Sequence, residues 1–260
     1  MRRNNGLAAA AAIILCGMGS AASAADFSVG LGAALAPDYE GSDDAKAVPL
    51  WSIRASALYH PETYVSLVGT ELRSNLVPHD HFRAGLIAKY LADYEDVDDS
   101  RVKRLNRPEA ALQTGVTLGY DFVAGPMIDA VFEIDASYDA LHGNGGLVTP
   151  RARYRTLLNQ RWRLEGSISS SYASEDYMSN RFGIGSGDAG RSGLDQYNAD
   201  DGFKDVSLAG SVTFMVTPNW SLTGLVGYAR MIGDAEDSPI VEDRGSQDQA
   251  FTGAMVNYRF

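Results

Sequence analysis

The last twelve residues, QAFTGAMVNYRF from Gln249 to Phe260, constrain the fold more than any other stretch. Thr252, Ala254, Val256, Tyr258 and Phe260 share one face, and Gly253, Met255, Asn257 and Arg259 share the other, which is the period of a β-strand. A soluble domain rarely spends its final residue on a strand with one oily face and an aromatic end. A barrel, by contrast, closes by pairing such a strand with its first one, which leaves no free edge. Val256, Tyr258 and Phe260 are therefore the expected closing-strand residues, and the rest of the chain must supply the other staves.

The 260 residues are 45% hydrophobic, with a mean hydropathy of −0.16. Past the N-terminus no window has the ~20 unbroken apolar residues that a spanning helix needs, so strands alone could hold this chain in a membrane. The length suits one domain. Arg2 and Arg3 precede the apolar run Leu7 to Leu15, and Ala22-Ser23-Ala24 offers a small-residue cleavage site. Residues 1–24 thus read as a cleaved signal peptide and 25–260 as the exported barrel domain. Cys16 would leave with that segment, so no disulfide is expected. Leu15 before it is too large for a lipidation site.

Along the chain, alternating stretches follow one another. Phe27, Val29, Leu31, Ala33 and Leu35 oppose a nearly bare face of Ser28, Gly30, Gly32 and Ala34. A second strand runs from Val48 to Tyr59. Thr63 to Asn75 is rich in β-formers but has no clear phase, because Leu67 and Leu72 fall on opposite faces. Phe82 to Tyr90 alternates again, followed by a loop from Asp93 to Arg107 that is acidic at first (Asp93, Glu95, Asp96, Asp98, Asp99) and then basic (Arg101, Lys103, Arg104, Arg107). The clearest hairpin joins Leu112–Phe122 to Ile128–Tyr138 through Ala124-Gly125-Pro126. Later strands start at Arg151, Trp162, Val206 and Trp220, with a glycine-rich excursion from Ser174 to Asp205 and a final acidic loop from Met231 to Asp248. Short turns (Ala124 to Pro126, Asn159 to Arg161, Thr217 to Asn219) alternate with long polar loops, the asymmetry of outer-membrane barrels, whose short turns face the periplasm. The fold class expected is all-β, an antiparallel transmembrane β-barrel. Eleven strands can be counted, and both termini on one side demand an even number, so twelve are expected, with ten as the alternative.

The hairpin strand through Phe132 carries Asp129, Glu133 and Asp135 on its polar face, and the next strand carries Arg151, Arg153 and Arg155. Facing lipid, each arginine would cost about 2–4 kcal/mol at the midplane; facing a polar lumen it can pair with a carboxylate. A structural ladder of ion pairs inside the barrel is expected. A register joining Ser137 to Arg151 would also join Asp135 to Arg153 and Glu133 to Arg155.

Several stretches resemble the MipA/OmpV family of Gram-negative outer-membrane proteins, named for the MltA-interacting protein. They are PDYEGSDD (Pro37 to Asp44), VPL (Val48 to Leu50), VKRL (Val102 to Leu105), YMSNRFGI (Tyr177 to Ile184), RSGL (Arg191 to Leu194) and GDAEDSPIVEDRGSQDQAF (Gly233 to Phe251). The resemblance implies a barrel in the cell outer membrane with no catalytic constellation. It further implies a scaffold bringing a lytic transglycosylase together with a peptidoglycan synthase, with adhesion or stress responses in other members. A small-solute pore, or an adhesin acting through the long loops, are the alternative functions.

No catalytic, cofactor or metal site is expected. His142 with Ser137 and Asp139 is the one group that could mimic a hydrolytic triad, but it sits among glycines and no elbow motif surrounds a serine. His60, His79 and His81 adjoin turns and match no closed metal site. Gly183, Gly185 and Gly187 precede no helix-forming pattern and read as loop glycines, not a phosphate cradle. Asp38, Glu40, Asp43 and Asp44 in one loop and Asp234, Glu236, Asp237, Glu242 and Asp243 in another read as solvated, mutually repelling loops. Divalent cations bridging to lipopolysaccharide are the alternative there. The expected partners are outer-membrane lipid and lipopolysaccharide. The net charge of −11 argues against nucleic acid.

Overall fold

The computed structural model describes residues 25–94, 97–105, 109–125 and 127–260. The predicted export segment (residues 1–24, with Cys16) lies outside the described residues, as do Glu95, Asp96, Arg107 and Pro126. Twelve antiparallel strands close into one barrel. They are β1 (Asp26–Pro37), β2 (Ala45–Ser56), β3 (Tyr64–Val68), β4 (Glu71–Asn75), β5 (Phe82–Leu91), β6 (Ala111–Ala124), β7 (Ile128–Asp139), β8 (Gly146–Leu157), β9 (Trp162–Ala173), β10 (Gly202–Met215), β11 (Trp220–Met231) and β12 (Asp248–Arg259). Each pairs with its neighbours in sequence, and β12 returns to β1 with Leu31 opposite Val256 and Val29 opposite Tyr258. The last residue completes the seam, the Phe260 amide donating to the Phe27 carbonyl at 3.0 Å. Backbones approach closely there. A Cβ on Gly32 would lie 1.9 Å from the Ala254 carbonyl oxygen, so only glycine fits.

The alternation read from the sequence separates two environments. Leu31, Phe122, Val226, Phe132 and Ile134 point outward and are 71, 68, 60, 40 and 44% exposed. In water each such side chain would forgo about 1.5–3 kcal/mol of burial; a lipid surround removes that cost. Aromatic pairs gird the wall near the short turns, with Phe27–Phe260 at 5.4 Å, Trp220–Tyr258 at 4.8 Å and Trp162–Phe214 at 4.7 Å between ring centroids. At the other end Tyr172 meets Phe203 at 5.4 Å. Such belts mark the two membrane interfaces.

The stretch without clear phase is a hairpin, not a strand. Leu67 and Leu72 face each other across it, so a turn at Gly69-Thr70 explains why they fell on opposite faces of a single line. This supplies the missing twelfth strand. β3 and β4 have only five residues each, so the wall is low here. The Gly69 amide donates to the Trp51 carbonyl, which puts the odd-numbered backbone groups of β2 on the β3 side. Above Trp51 the hairpin has ended, and Pro49, which has no N–H to leave unpaired, takes the next position on that open edge. β2 also stops three residues before Tyr59, since Ala57 turns with φ at +54°.

Candidate functional site

Two features stand out against the regular wall: a charged network inside the barrel and a packed cap over the end with the long loops. The β7–β8 register differs from the expected one by four residues. Arg151 stands opposite Glu133, Arg155 opposite Asp129 and Arg153 opposite Val131. The loop is the reason. β7 runs on to Asp139, whose carboxylate accepts from the amides of Leu112, Leu141, His142 and Asn144 at 3.0–3.2 Å, which centres the turn on His142 and brings Gly146 into β8.

With that register the side chains pair diagonally as well as directly. Arg155 reaches Asp129 at 2.7 Å, Arg153 reaches Glu133 at 2.9 Å, and Arg151 comes to 3.7 Å from Asp135. Two further arginines, unforeseen from the sequence, complete the network from the other side. Arg73 on β4 grips Asp135 with both terminal nitrogens, at 2.9 and 2.5 Å, and also contacts Glu71 at 3.2 Å. Arg83 on β5 bonds Asp121 at 2.6 Å and Asp129 at 3.2 Å. Arg83 was legible, since it alternates with outward Phe82; Arg73 was hidden by the unrecognised hairpin. The wall next to β8 is different in kind above Arg163 and Glu165 of β9. Inward positions of β9 and β10 carry Ser167, Ser169, Ser207, Ala209 and Ser211, none of them buried.

The glycine-rich excursion folds into two helices, α1 (Glu175–Phe182) and α2 (Ser186–Ser192), and the final acidic loop contains a third, α3 (Pro239–Glu242). Gly185 caps α2 and Gly187 lies inside it, so these glycines are not loop residues as expected. Ser174 and Ser238 cap α1 and α3 with their side-chain oxygens. One apolar cluster joins Tyr177, Met178 and Phe182 to Met231, Ala235 and Val241; a second joins Ile184 and Leu194 to Tyr39, Tyr94, Val102 and Ile240. Loops from all round the ring thus share a core above the barrel.

An ionic latch fixes this cap to the wall. A bulge between Phe203 and Asp205 turns Lys204 inward, where its Nζ lies 2.5 Å from both Glu40 and Asp205. The Tyr177 hydroxyl donates to the other Glu40 oxygen at 3.0 Å. Burial alone would raise the Glu40 carboxyl, but the Lys204 ammonium, helped by Arg181 and Lys89, holds it down at about 2. Burial and the Glu40 carboxylate push the Tyr177 hydroxyl up. Because Glu40 is depressed in the folded state, its contribution is present above its ordinary value of 4.5 and is lost as pH falls through about 2. With its side chain a quarter exposed, this amounts to about 2–3 kcal/mol. Hydrogen exchange in α1, corrected for intrinsic rates, should be flat from pH 8 to 5 and accelerate below about 4; acceleration near neutrality would contradict the latch.

Three other acidic loop residues are engaged, not mutually repelling as expected, while Asp43, Asp44, Glu242 and Asp243 are exposed. Asp38 pairs with Lys46 at 2.7 Å, Glu236 with Arg230 at 3.1 Å, and Asp234 accepts from the Asp200 amide at 2.7 Å. The hydrolytic mimic is not assembled: the Ser137 hydroxyl donates to Gln113, the Asp139 carboxylate is occupied by backbone amides, and a His142 ring nitrogen lies 3.1 Å from the Ala110 carbonyl. His79 accepts from the amides of His81 and Phe82, and His60 from that of Glu62, as turn-stabilising groups.

The MltA-interacting protein MipA family matches residues 29–260, the whole barrel apart from its first few residues. The chain belongs to that family. Among relatives, the outer membrane protein YiaT of Escherichia coli K12 is 25% identical over 247 residues, spanning 93% of this chain and 94% of the relative. The MltA-interacting protein of the same strain is 23% identical over 170 residues, spanning 64% of this chain and 63% of the relative. A solved outer membrane channel of Pseudomonas putida F1 superposes with a TM-score of 0.50 at 9% identity, covering 93% of this chain and 97% of that one, which is a likeness of fold. The family, the relatives and the twelve-stranded barrel place the protein in the outer membrane.

Proposed function

We propose that this barrel is a non-enzymatic docking scaffold that brings a murein-hydrolysing lytic transglycosylase together with a peptidoglycan synthase at the inner surface of the outer membrane. Its belt sits in lipid and lipopolysaccharide while its short turns face the periplasm. The observation that carries the reading is the packed cap over the outer mouth. A barrel built for free diffusion has no use for two apolar clusters and a buried lysine across its opening, whereas a scaffold needs only to present its other end. That end carries exposed apolar side chains on separate turns, with Tyr59, Met127 and Leu158 at 60, 53 and 61%. The name of the relative that interacts with a transglycosylase supports the choice of partner.

Immobilised barrel should bind a purified lytic transglycosylase and a bifunctional synthase. Changing Tyr59, Met127 and Leu158 together to aspartate should weaken binding at least ~10-fold, or about 1.4 kcal/mol, with the heat-dependent gel shift of the folded barrel retained. Binding that ignores the turn changes and disappears on shortening the outer loops would favour adhesion through those loops instead.

A further inference from the structure

The charges in the lumen are layered. The carboxylates of Asp121, Asp129, Glu133 and Asp135 are 1, 7, 2 and 8% exposed, while the side chains of Arg151, Arg153 and Arg155 are 23, 18 and 41% exposed. These four acids lie against the wall and the three guanidinium groups cover them, so a molecule beside β8 meets cations first; Glu71, 36% exposed next to Arg73, is the open carboxylate of the network.

Arg54 adds a cation with no such backing. It lies two residues from Ser52 on the same face of β2, and the Ser52 hydroxyl contacts the buried inward Met255, so Arg54 points into the lumen. Its guanidinium stacks on the Tyr64 ring at 4.2 Å from the centroid. Stacking covers one face and leaves the edge N–H groups unused. Among the described residues no carboxylate comes within 4.0 Å of Arg54, nor of Arg163 nearer the short-turn end. β2 and β8 are six strands apart either way round the ring of twelve. Arg54 therefore faces Arg153 and Arg155 across the lumen, within electrostatic range of both. Arg163 is in range of Arg155. Glu165 is in range of Arg54 and Arg163 but bridges neither.

We propose that this half of the lumen binds a small solute bearing an oxyanion, entering from the periplasm. Two planar forks on one side and stacked Arg54 on the other suit bidentate recognition of a carboxylate or phosphate. The small side chains of Ser167, Ser169, Ser207, Ala209 and Ser211 suit the body of the solute, and the packed cap lies across the opposite end. The site stands whether or not enzymes dock at the turns.

Calorimetric titration of the full barrel in detergent at low salt, with citrate, inorganic phosphate and glucose, tests this. At least one anion should bind where glucose does not, and 0.3 M sodium chloride should weaken the binding several-fold; the anion preferred separates carboxylate from phosphate chemistry. The double variant Arg54→Gln/Arg163→Gln should bind at least tenfold more weakly. It orphans no carboxylate and is expected to keep the heat-dependent gel shift. Glu165→Gln should change affinity the other way, binding several-fold more tightly. Anion heats no larger than those of glucose, a double variant that binds like the parent, or weaker binding by Glu165→Gln would each overturn the site.

Discussion

Replacing Arg73 with alanine should destabilise the folded barrel by about 3–5 kcal/mol, the largest effect expected of any single lumen change. The reason is what remains. Arg73 is the bidentate partner of Asp135 and also contacts Glu71 at 3.2 Å and Glu133 at 3.7 Å. Its loss leaves Asp135, 8% exposed, with Arg151 at 3.7 Å as its closest cation. It also removes the tie from the short β3–β4 hairpin across to β7, where β4 and β5 share only three paired positions. Arg151→Ala, which breaks one 3.7 Å contact at a more exposed site, should cost under about 1 kcal/mol. The urea midpoint of the heat-sensitive folded band compares the two; equal losses would mean that the network acts only as diffuse charge.

Phe182→Ala should be nearly as damaging, but to the cap alone. Phe182 is fully buried at the centre of the first cluster, and its carbonyl accepts from the Ser238 hydroxyl at 2.6 Å, joining α1 to the start of α3. Truncating a buried phenylalanine costs about 3–5 kcal/mol. Since the cluster lies above the ring, the strand ladders should persist while the cap loosens. Proteolysis between residues 174 and 201 should become rapid, and a barrel that is close to silent in a planar bilayer should begin to conduct. Protection unchanged from the parent would show that the cap is held elsewhere.

The wall of the barrel was legible because each strand carries its own evidence in its alternation, and the even strand number follows from both ends lying on one side. The hairpin at Gly69-Thr70 was not legible, because five residues on each side are too few to establish a phase. The ladder residues Asp129, Glu133, Asp135, Arg151, Arg153 and Arg155 were identified by type and face. Their register was misplaced because the geometry of the His142 turn depends on where the Asp139 carboxylate finds amide donors, and alternation is blind to that. The cap left almost no trace. Tyr177, Phe182, Ile184 and Ile240 are spaced by no repeating period, and their partners, such as Tyr39 and Val102, lie far away in sequence. Glycines and serines that a local reading assigns to loose loops become helix caps once that core exists.

Tyr39 bonds the Arg244 carbonyl, Gly41 bonds Gln249, and Arg244 bridges to Asp99, contacts separated by 205, 208 and 145 residues. The first two tie the first loop to the last loop and to the start of β12, so they become available only after β12 has met β1. The closure seam and the lid are therefore coupled in time. During biogenesis an unsealed ring would keep its top open to the assembly machinery, and the latch at Lys204 would snap shut as the final event of maturation, marking a finished molecule.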